Sequence, residues 1–201
     1  MATVVTEFRP TESPEPNRRA WTRDEYHRMA EMGIIGPDEH VELLDGQIVE
    51  KMPPIGPSHG STTDRLAEVL RNAFGPEYRV REEKSILLIN AEKDEPEPDI
   101  VVAFGTWQEF KERLPGPNDI RLIVEVADSS LISDRKTKGL LYAASGIVEY
   151  WIVNLVDRVV EVHTLPTTDG YAQVNYFRSG ADLKPVALVD TVIPVDRFLP
   201  V

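Results

Sequence analysis

The chain has 201 residues, of which 41% are hydrophobic and 28% charged, so it can form one domain and is neither wholly disordered nor collagen-like. It contains no cysteine, which excludes a disulfide scaffold, a thiolate metal site and a cysteine nucleophile. The formal net charge is −12, and such a field repels nucleic acid unless a bound metal ion or a local basic patch reverses it.

The beginning of the chain predicts a flexible tail over residues 1–20, followed by one folded domain over residues 21–201. Pro10, Pro14 and Pro16 stand among polar residues, so little of the tail can be buried. The tail resembles no signal peptide, and no run of the chain approaches the ~20 apolar residues of a membrane span. We therefore expect a cytoplasmic protein with no membrane segment.

The first half of the domain predicts a helix, a hairpin and a second helix. Thr22 and Glu25 form a capping box, and Gly33 ends this helix. The Asp45-Gly46 pair between two short apolar runs is a strong hairpin signal, because both residues favour positive φ. The second helix carries apolar residues at helical spacing from Leu66 to Phe74.

The second half predicts strands with one long helix among them. The predicted strands are residues 78–81, 85–89, 100–104, 121–127, 149–153, 159–163, 171–178 and 191–195, and the helix runs from Ser133 to Gly146. A shorter helical turn is expected near Trp107–Arg113. This order of elements predicts an α/β domain around a mixed sheet.

Two carboxylates interrupt apolar strands, Asp99 at the mouth of one and Glu125 inside another. A carboxylate in a sheet core costs several kcal/mol unless it is paired or binds a cation. If the strands are neighbours, both can reach one Mg²⁺, and the carbonyl of Val126 could add a ligand. The alternative is that Asp99 caps a turn and Glu125 pairs with Arg121 or Arg79.

The helix that follows carries Asp134, Lys138 and Tyr142 four residues apart, so they share one face. As a partly exposed lysine, Lys138 could fold back over the carboxylates and orient a water or stabilise charge on a phosphate in the transition state. Lys136 lies half a turn away from this face. The alternative is an exposed Asp134–Lys138 pair that contributes ~0.3–0.5 kcal/mol.

Several segments, in this order along the chain, carry a family resemblance. They are Val41-Glu-Leu-Leu-Asp-Gly46, Pro96-Glu-Pro-Asp99, Leu122-Ile-Val-Glu-Val126, Asp134-Arg135 with Lys138, and Leu141-Tyr-Ala-Ala-Ser-Gly-Ile147 with Glu149-Tyr-Trp-Ile-Val153. Pro98-Asp99 before one strand and Glu125-Val126-Ala127 in the next resemble the PD-(D/E)XK nuclease superfamily. The whole set resembles a bacterial family of restriction-endonuclease-like proteins of uncharacterised function, from roughly Trp21 to the C-terminus.

The resemblance implies a restriction-endonuclease-like mixed β-sheet flanked by helices, with a metal at Asp99 and Glu125. The superfamily lysine stands two residues after the Glu, where this chain has Ala127, and Lys138 matches the lysine that substitutes for it. Glu42 matches a further carboxylate by motif. Its alternative is an outward-facing residue of the hairpin.

His59, near the start of the second helix, could face the site and contact phosphate or a water. Its alternative is a partly buried imidazole that caps a loop. Tyr142 is expected to support Lys138 through packing or a hydrogen bond.

Together these features predict an endonuclease that uses Mg²⁺ (or Mn²⁺) to hydrolyse DNA phosphodiester bonds. DNA binding should be weak and salt-sensitive because of the net charge, with Arg135, Lys136 and Arg121 near the site as a basic patch. The alternative is a catalytically inactive binding or regulatory module of the same fold. The apolar segment Tyr150–Val153 could support a homodimer.

Overall fold

A computed structural model describes residues 18–51 and 56–199 of the chain. The strands are β1 (Val41–Leu44), β2 (Gln47–Glu50), β3 (Tyr78–Glu82), β4 (Ile100–Phe104), β5 (Ile120–Ala127), β6 (Glu149–Asn154), β7 (Val159–Thr167), β8 (Gly170–Phe177), β9 (Asp182–Leu183) and β10 (Ile193–Pro194). The α-helices are α1 (Arg23–Glu31), α2 (Pro57–Phe74), α3 (Trp107–Glu112), α4 (Leu131–Ser133) and α5 (Gly139–Ala144). A π-helical segment, Asp134–Lys138, joins α4 to α5, and a 3-10 turn covers Val195–Arg197.

The main sheet has six strands in the order β3-β4-β5-β6-β7-β8. Neighbouring strands in this sheet are antiparallel, except that β5 and β6 are parallel. The connection between β5 and β6 contains α4, the π-helical segment and α5. A parallel pair requires such a long connection, and here the connection is helical. The predicted α/β fold with a mixed sheet flanked by helices is confirmed.

Side chains alternate between the two faces of the sheet, and each face has its own apolar cluster. On one face, Leu66 of α2 packs in a cluster with Val124 and Trp151 of the sheet. The other face packs under α5 and includes Ile123 and Tyr150. Residues two apart along a strand share a face. Glu125 on β5 and Asp99, directly before β4, therefore lie on the α5 side with Ile123 and Val101.

The local signals at the start of the domain are reproduced. Thr22 and Glu25 make the predicted capping box, and the β1–β2 hairpin turns at Asp45 (φ 47°) and Gly46 (φ 70°). Arg19 forms an ion pair with Glu25, and Ala20, placed in the predicted tail, lies against Gly46. Residues 1–17 of the predicted tail lie outside the described residues.

The strand predicted at residues 85–89 is wrong. The amide of Ile86 donates to the carbonyl of Pro96 and that of Leu87 to the carbonyl of Pro115, so two different loops take the hydrogen bonds that one partner strand would need. The segment is nevertheless buried at Ile86, which explains its apolar sequence. Of residues 191–195, only Ile193–Pro194 forms a strand, paired with β9 outside the main sheet.

The segment proposed as a dimer surface, Tyr150–Val153, lies in β6 between β5 and β7. All four of its side chains are fully buried within the monomer, so it cannot contact a second copy of the chain. A continuous apolar run indicated burial correctly, but the burial is inside the sheet. No helix in the described part of the chain has the length and apolar character that crossing a bilayer requires.

Candidate active site

Asp99 and Glu125 lie side by side at the junction of β4 and β5. The amide of Val126 donates to Asp99 Oδ2 at 2.7 Å, and the amide of Asp99 lies 3.4 Å from Glu125 Oε2. Both side chains are buried, and the pairing of Ile100 with Val124 fixes their relative register. Asp99 directly precedes β4 and Glu125 lies in the neighbouring strand β5, so the two carboxylates come from adjacent strands, as expected.

The arginine alternative for Glu125 is wrong. Arg121 donates to the carbonyl of Asn118 at 2.8 Å, and Arg79 donates to the carbonyl of Tyr78 at 3.0 Å. The partner of Glu125 comes from the crossover helix instead.

Lys138 and Tyr142 converge on one oxygen of Glu125. Lys138 Nζ lies 3.0 Å and the Tyr142 hydroxyl 2.9 Å from Glu125 Oε1. Tyr142 was predicted to support Lys138, and the structure shows it bonded to the carboxylate that Lys138 also binds. Both side chains are buried, so Lys138 is not the partly exposed lysine that the sequence suggested.

The π-helical segment forms the first part of the helix that carries these two side chains. The amide of Gly139 donates to the carbonyl of Asp134, a five-residue spacing in place of the usual four. The Tyr150 hydroxyl donates to the same carbonyl at 3.2 Å and so ties the segment to β6. Single π-helical turns within α-helices occur frequently at functional sites.

Glu42 belongs to this site, and the alternative of an outward hairpin residue is wrong. Its side chain is buried, with Oε1 3.1 Å from Lys138 Nζ and Oε2 accepting from the amide of Glu97 at 3.1 Å. Strand β1 therefore delivers a third carboxylate next to the pair on β4 and β5.

His59 approaches the site from the first turn of α2. Its Nε2 lies 3.2 Å from Asp99 Oδ2, the oxygen that also accepts from the Val126 amide. Burial alone would lower the pKa of His59, but Asp99 raises it above its usual value. Among the described residues, nothing bonds to His59 Nδ1, which is buried beside the cavity described below.

Asp134 also lines the site, on the helical face that it was expected to share with Lys138 and Tyr142, and the alternative of an exposed Asp134–Lys138 pair is wrong. It is buried, and its Oδ2 accepts from the Ser130 hydroxyl at 2.6 Å. Burial raises the pKa of Asp134 to about 6, against the opposing charge of Lys138. Its position one turn before Lys138 was the signal that could have placed it here.

Negative charge exceeds positive charge in this buried cluster. Glu42, Asp99, Glu125 and Asp134 surround one ammonium, that of Lys138. Burial raises the pKa of Glu125 to about 8 despite Lys138, and the neighbouring carboxylates add to that effect. Burial would lower the pKa of Lys138, but the same carboxylates raise it. Burial is the main cause for Glu125 and the surrounding carboxylates are the cause for Lys138, and this excess of carboxylates favours a further cation.

The donor set fits a divalent ion that prefers oxygen. Carboxylates of Asp99 and Glu125 open onto a cavity of about 380 Å³, which Glu42, His59 and Lys138 also line. Within residues 18–51 and 56–199, no group of three or more His, Asp or Glu side chains has an arrangement that could hold a metal ion by itself. Mg²⁺ typically takes one or two carboxylates and keeps several waters, so a complete cage is not required.

The predicted basic patch is not assembled at the site. Arg135 is paired with Glu161 on β7, and Arg121 lies four residues before Glu125 on β5, about 13 Å away at the strand rise. Lys136 is exposed on the helix, as expected from its spacing. These three side chains therefore do not form a basic surface at the site.

Comparisons with known proteins agree with this architecture. A family model described as "Uma2: Putative restriction endonuclease" matches residues 23–196. A solved structure, "a putative nuclease belonging to DUF820 from Anabaena variabilis ATCC 29413", is similar with a TM-score of 0.66 and 15% identity, covering 89% of this chain and 97% of that chain. At that identity the likeness concerns the fold alone. No curated protein matches the sequence significantly.

Proposed function

The chain belongs to the Uma2 family of restriction-endonuclease-like proteins, and from this premise we propose that it is a metal-dependent endonuclease that hydrolyses phosphodiester bonds in DNA. One observation carries the proposal. Lys138 Nζ lies 3.0 Å from Glu125, whose strand neighbour is Asp99, and this group faces a cavity open to a ligand. Two carboxylates with a lysine are the side chains that metal-assisted phosphate hydrolysis needs.

In this proposal, Asp99 and Glu125 would hold Mg²⁺ or Mn²⁺, and the carbonyl of Val126 would be a further ligand. When bound, the ion lowers the pKa of a water and offsets the charge of the phosphate. The chain contributes rigid placement, because the carboxylates sit on hydrogen-bonded neighbouring strands with little freedom to move.

Lys138 supplies the positive charge that stabilises the transition state. Its ammonium has three donors, and bonds to Glu125 and Glu42 use two of them. The remaining donor can orient a water or a phosphate oxygen. Tyr142 holds Glu125 Oε1 from the other side, so the carboxylate keeps its orientation when Lys138 engages substrate.

His59 positions Asp99 in the same scheme. With Nε2 donating to Asp99 Oδ2, the imidazole restricts rotation of the carboxylate. The unbonded Nδ1 at the cavity leaves His59 one polar atom for a water or a phosphate oxygen.

A catalytically inactive module is the second candidate, and one observation favours it. The carboxylates of Glu125 and Glu42 already have Lys138 as a partner, so the cluster is partly satisfied as it stands. Such a cluster could persist for structure alone.

Nicking of supercoiled plasmid DNA with Mg²⁺ or Mn²⁺ tests the proposal. The wild-type chain should convert plasmid only with metal, and Asp99→Asn should abolish conversion while circular dichroism stays unchanged. Lys138→Met should lower turnover by on the order of 10²–10³, the scale for loss of one transition-state donor. Lys136→Met is the matched control and should retain turnover. No metal-dependent cleavage of plasmid or single-stranded DNA by the wild-type chain would favour the inactive module.

A further inference from the structure

A second surface cavity, of about 490 Å³, lies on the other side of the first turns of α2. Its lining combines arginines and hydroxyl groups with an apolar floor. The lining residues are Ser58, Ser61, Thr62, Arg65, Leu155, Arg158, Asp196, Arg197, Phe198 and Leu199. This arginine pocket has no role in the chemistry described above.

The pocket is positively charged in a chain of net charge −12. Arg65 is paired with Glu68, whereas no carboxylate of a described residue pairs with Arg158 or Arg197. Asp196 contributes one negative charge, but its Oδ1 accepts from the amide of Gly180. Two exposed guanidinium groups are therefore free to bind an anion.

Arg158 occupies a backbone position that normally selects another residue type. Its φ is +51°, in the left-handed region where glycine and asparagine are favoured and an arginine is strained. The β6–β7 turn brings Arg158 to the lining of the arginine pocket. Arg178 donates to the carbonyl of Asp157, the residue before Arg158, at 2.7 Å. This contact brings another guanidinium to the β6–β7 turn.

The arginine pocket and the candidate active site are adjacent. Gly56 and His59 line the active-site cavity, whereas Ser58 and Ser61 line the arginine pocket. The N-terminal end of α2 therefore lies between the cavity and the pocket. The amide of Leu155, in the pocket floor, donates at 2.9 Å to the carbonyl of Ala127, the residue after Val126 on β5. Arg65 is six residues from His59, roughly 9 Å along the helix axis. Phosphates of one nucleic-acid strand lie roughly 3.4 Å apart along the duplex axis. The distance along the helix therefore corresponds to a few nucleotides.

The lining chemistry fits a phosphodiester. Guanidinium groups bind phosphate oxygens in a two-pronged geometry, serine hydroxyls donate to the same oxygens, and an apolar floor can contact a sugar. We propose that the arginine pocket binds a backbone phosphate of the nucleic-acid strand, a few nucleotides from the phosphate that is cleaved. The identity of the strand rests on the proposed function, while the anion site rests on the pocket itself.

Fluorescence anisotropy with a labelled 12-nucleotide DNA, without divalent metal, tests the inference separately from catalysis. Arg158→Gln and Arg197→Gln should each weaken binding several-fold and lower the slope of log K against log salt by about one unit. Arg28→Gln removes an exposed arginine on α1 that lines neither cavity, and it should change neither quantity. Equal binding by all three variants and the wild-type chain, or no DNA binding by the wild-type chain, would overturn the inference.

Two further measurements distinguish a nucleic-acid phosphate from a free anion, and the pocket proposal from the nuclease proposal. Calorimetry with inorganic pyrophosphate reports the bare anion site. Loss of pyrophosphate binding in Arg158→Gln with unchanged DNA binding would assign the pocket to a free anion and contradict the inference. If the wild-type chain cleaves no DNA but the arginine variants still lose DNA binding, the nuclease proposal fails and the pocket stands.

Discussion

Lys138 Nζ lies 3.0 Å from Glu125 Oε1, and the two residues reach each other from a crossover helix and a central strand. The contact is buried, and Glu42 accepts from the same ammonium at 3.1 Å. A charge in this position stabilises the fold, because without it two buried carboxylates would lose their cation. Asp99 and Asp134 lie in the same buried cluster, so four acidic residues surround one ammonium.

Replacing Lys138 should therefore affect stability as well as turnover. We predict that Lys138→Ala lowers the free energy of unfolding by on the order of 3 kcal/mol, because it leaves buried carboxylates unpaired. Lys136→Ala, on the exposed side of the helix, should stay within about 0.5 kcal/mol of the wild-type value. Urea unfolding at neutral pH measures both. Equal stability of the two variants would show that the Lys138 contacts contribute nothing to folding.

The hairpin turn that positions Glu42 should tolerate no side chain at Gly46. A Cβ there would lie 2.7 Å from the Cβ of Ala20, in addition to the strain of φ +70°. Gly46→Ala should cost about 2–4 kcal/mol of unfolding free energy, above the strain of the left-handed conformation alone.

Gly33→Ala is the matched control, because Gly33 has the same φ of +70° and no neighbour within 4 Å of the added atom. It should cost about 1–2 kcal/mol, the strain by itself. Chemical denaturation of both variants separates the clash from the strain. Equal losses would mean that residues before Trp21 do not pack against the hairpin.

His163 should make stability depend on pH. Burial lowers its pKa, with Glu161 opposing and Arg135 assisting, and the rings of Tyr150 and Tyr171 lie beside its ring. The unfolded chain takes up the proton near pH 6.5 and the folded chain only at lower pH, so stability falls as pH drops below that value.

Replacing His163 by Gln should remove this contribution. Between pH 7.5 and 5.5, the wild-type chain should lose more unfolding free energy than His163→Gln, by at most about 1.4 kcal/mol for each pH unit in the window. Thermal and urea unfolding across that range give the difference. Parallel curves for the two proteins would indicate that His163 titrates normally in the folded chain.

Divalent metal should stabilise the folded chain. A ligand at 100 times its dissociation constant adds about 2.7 kcal/mol, so saturating Mn²⁺ or Mg²⁺ should raise the melting temperature visibly. Asp99→Asn should lose most of that rise, while Asp182→Asn on short strand β9 should keep it. A rise of the same size in both variants would place the bound ion outside the candidate site.

Local signals in the sequence predicted most of the fold. The Thr22 capping box, the Asp45-Gly46 turn and the apolar runs of β4 and β5 depend on neighbouring residues alone, and each is present. The strand prediction for residues 85–89 failed because an apolar run indicates burial but does not specify a hydrogen-bonding partner. Proline-rich loops supply the acceptors here.

The site was predictable in composition but not in all its contacts. Asp99 and Glu125 stood out because carboxylates in apolar strands need a partner. The four-residue spacing placed Asp134 and Lys138 on one face, but it did not indicate that both would be buried or that a π-helical segment would carry them. The failure of Arg135 to join the site has a similar origin, since its partner Glu161 lies 26 residues away on β7.

The most direct test of the central claim is the location of a bound metal ion. Anomalous diffraction from crystals grown with Mn²⁺ should show a peak within about 2.0–2.6 Å of oxygens from both Asp99 and Glu125, the usual range for a hard divalent ion. Mn²⁺ bound elsewhere, with Lys138 and Tyr142 still holding Glu125 and no peak between the two carboxylates, would contradict a metal-dependent nuclease centred on these residues.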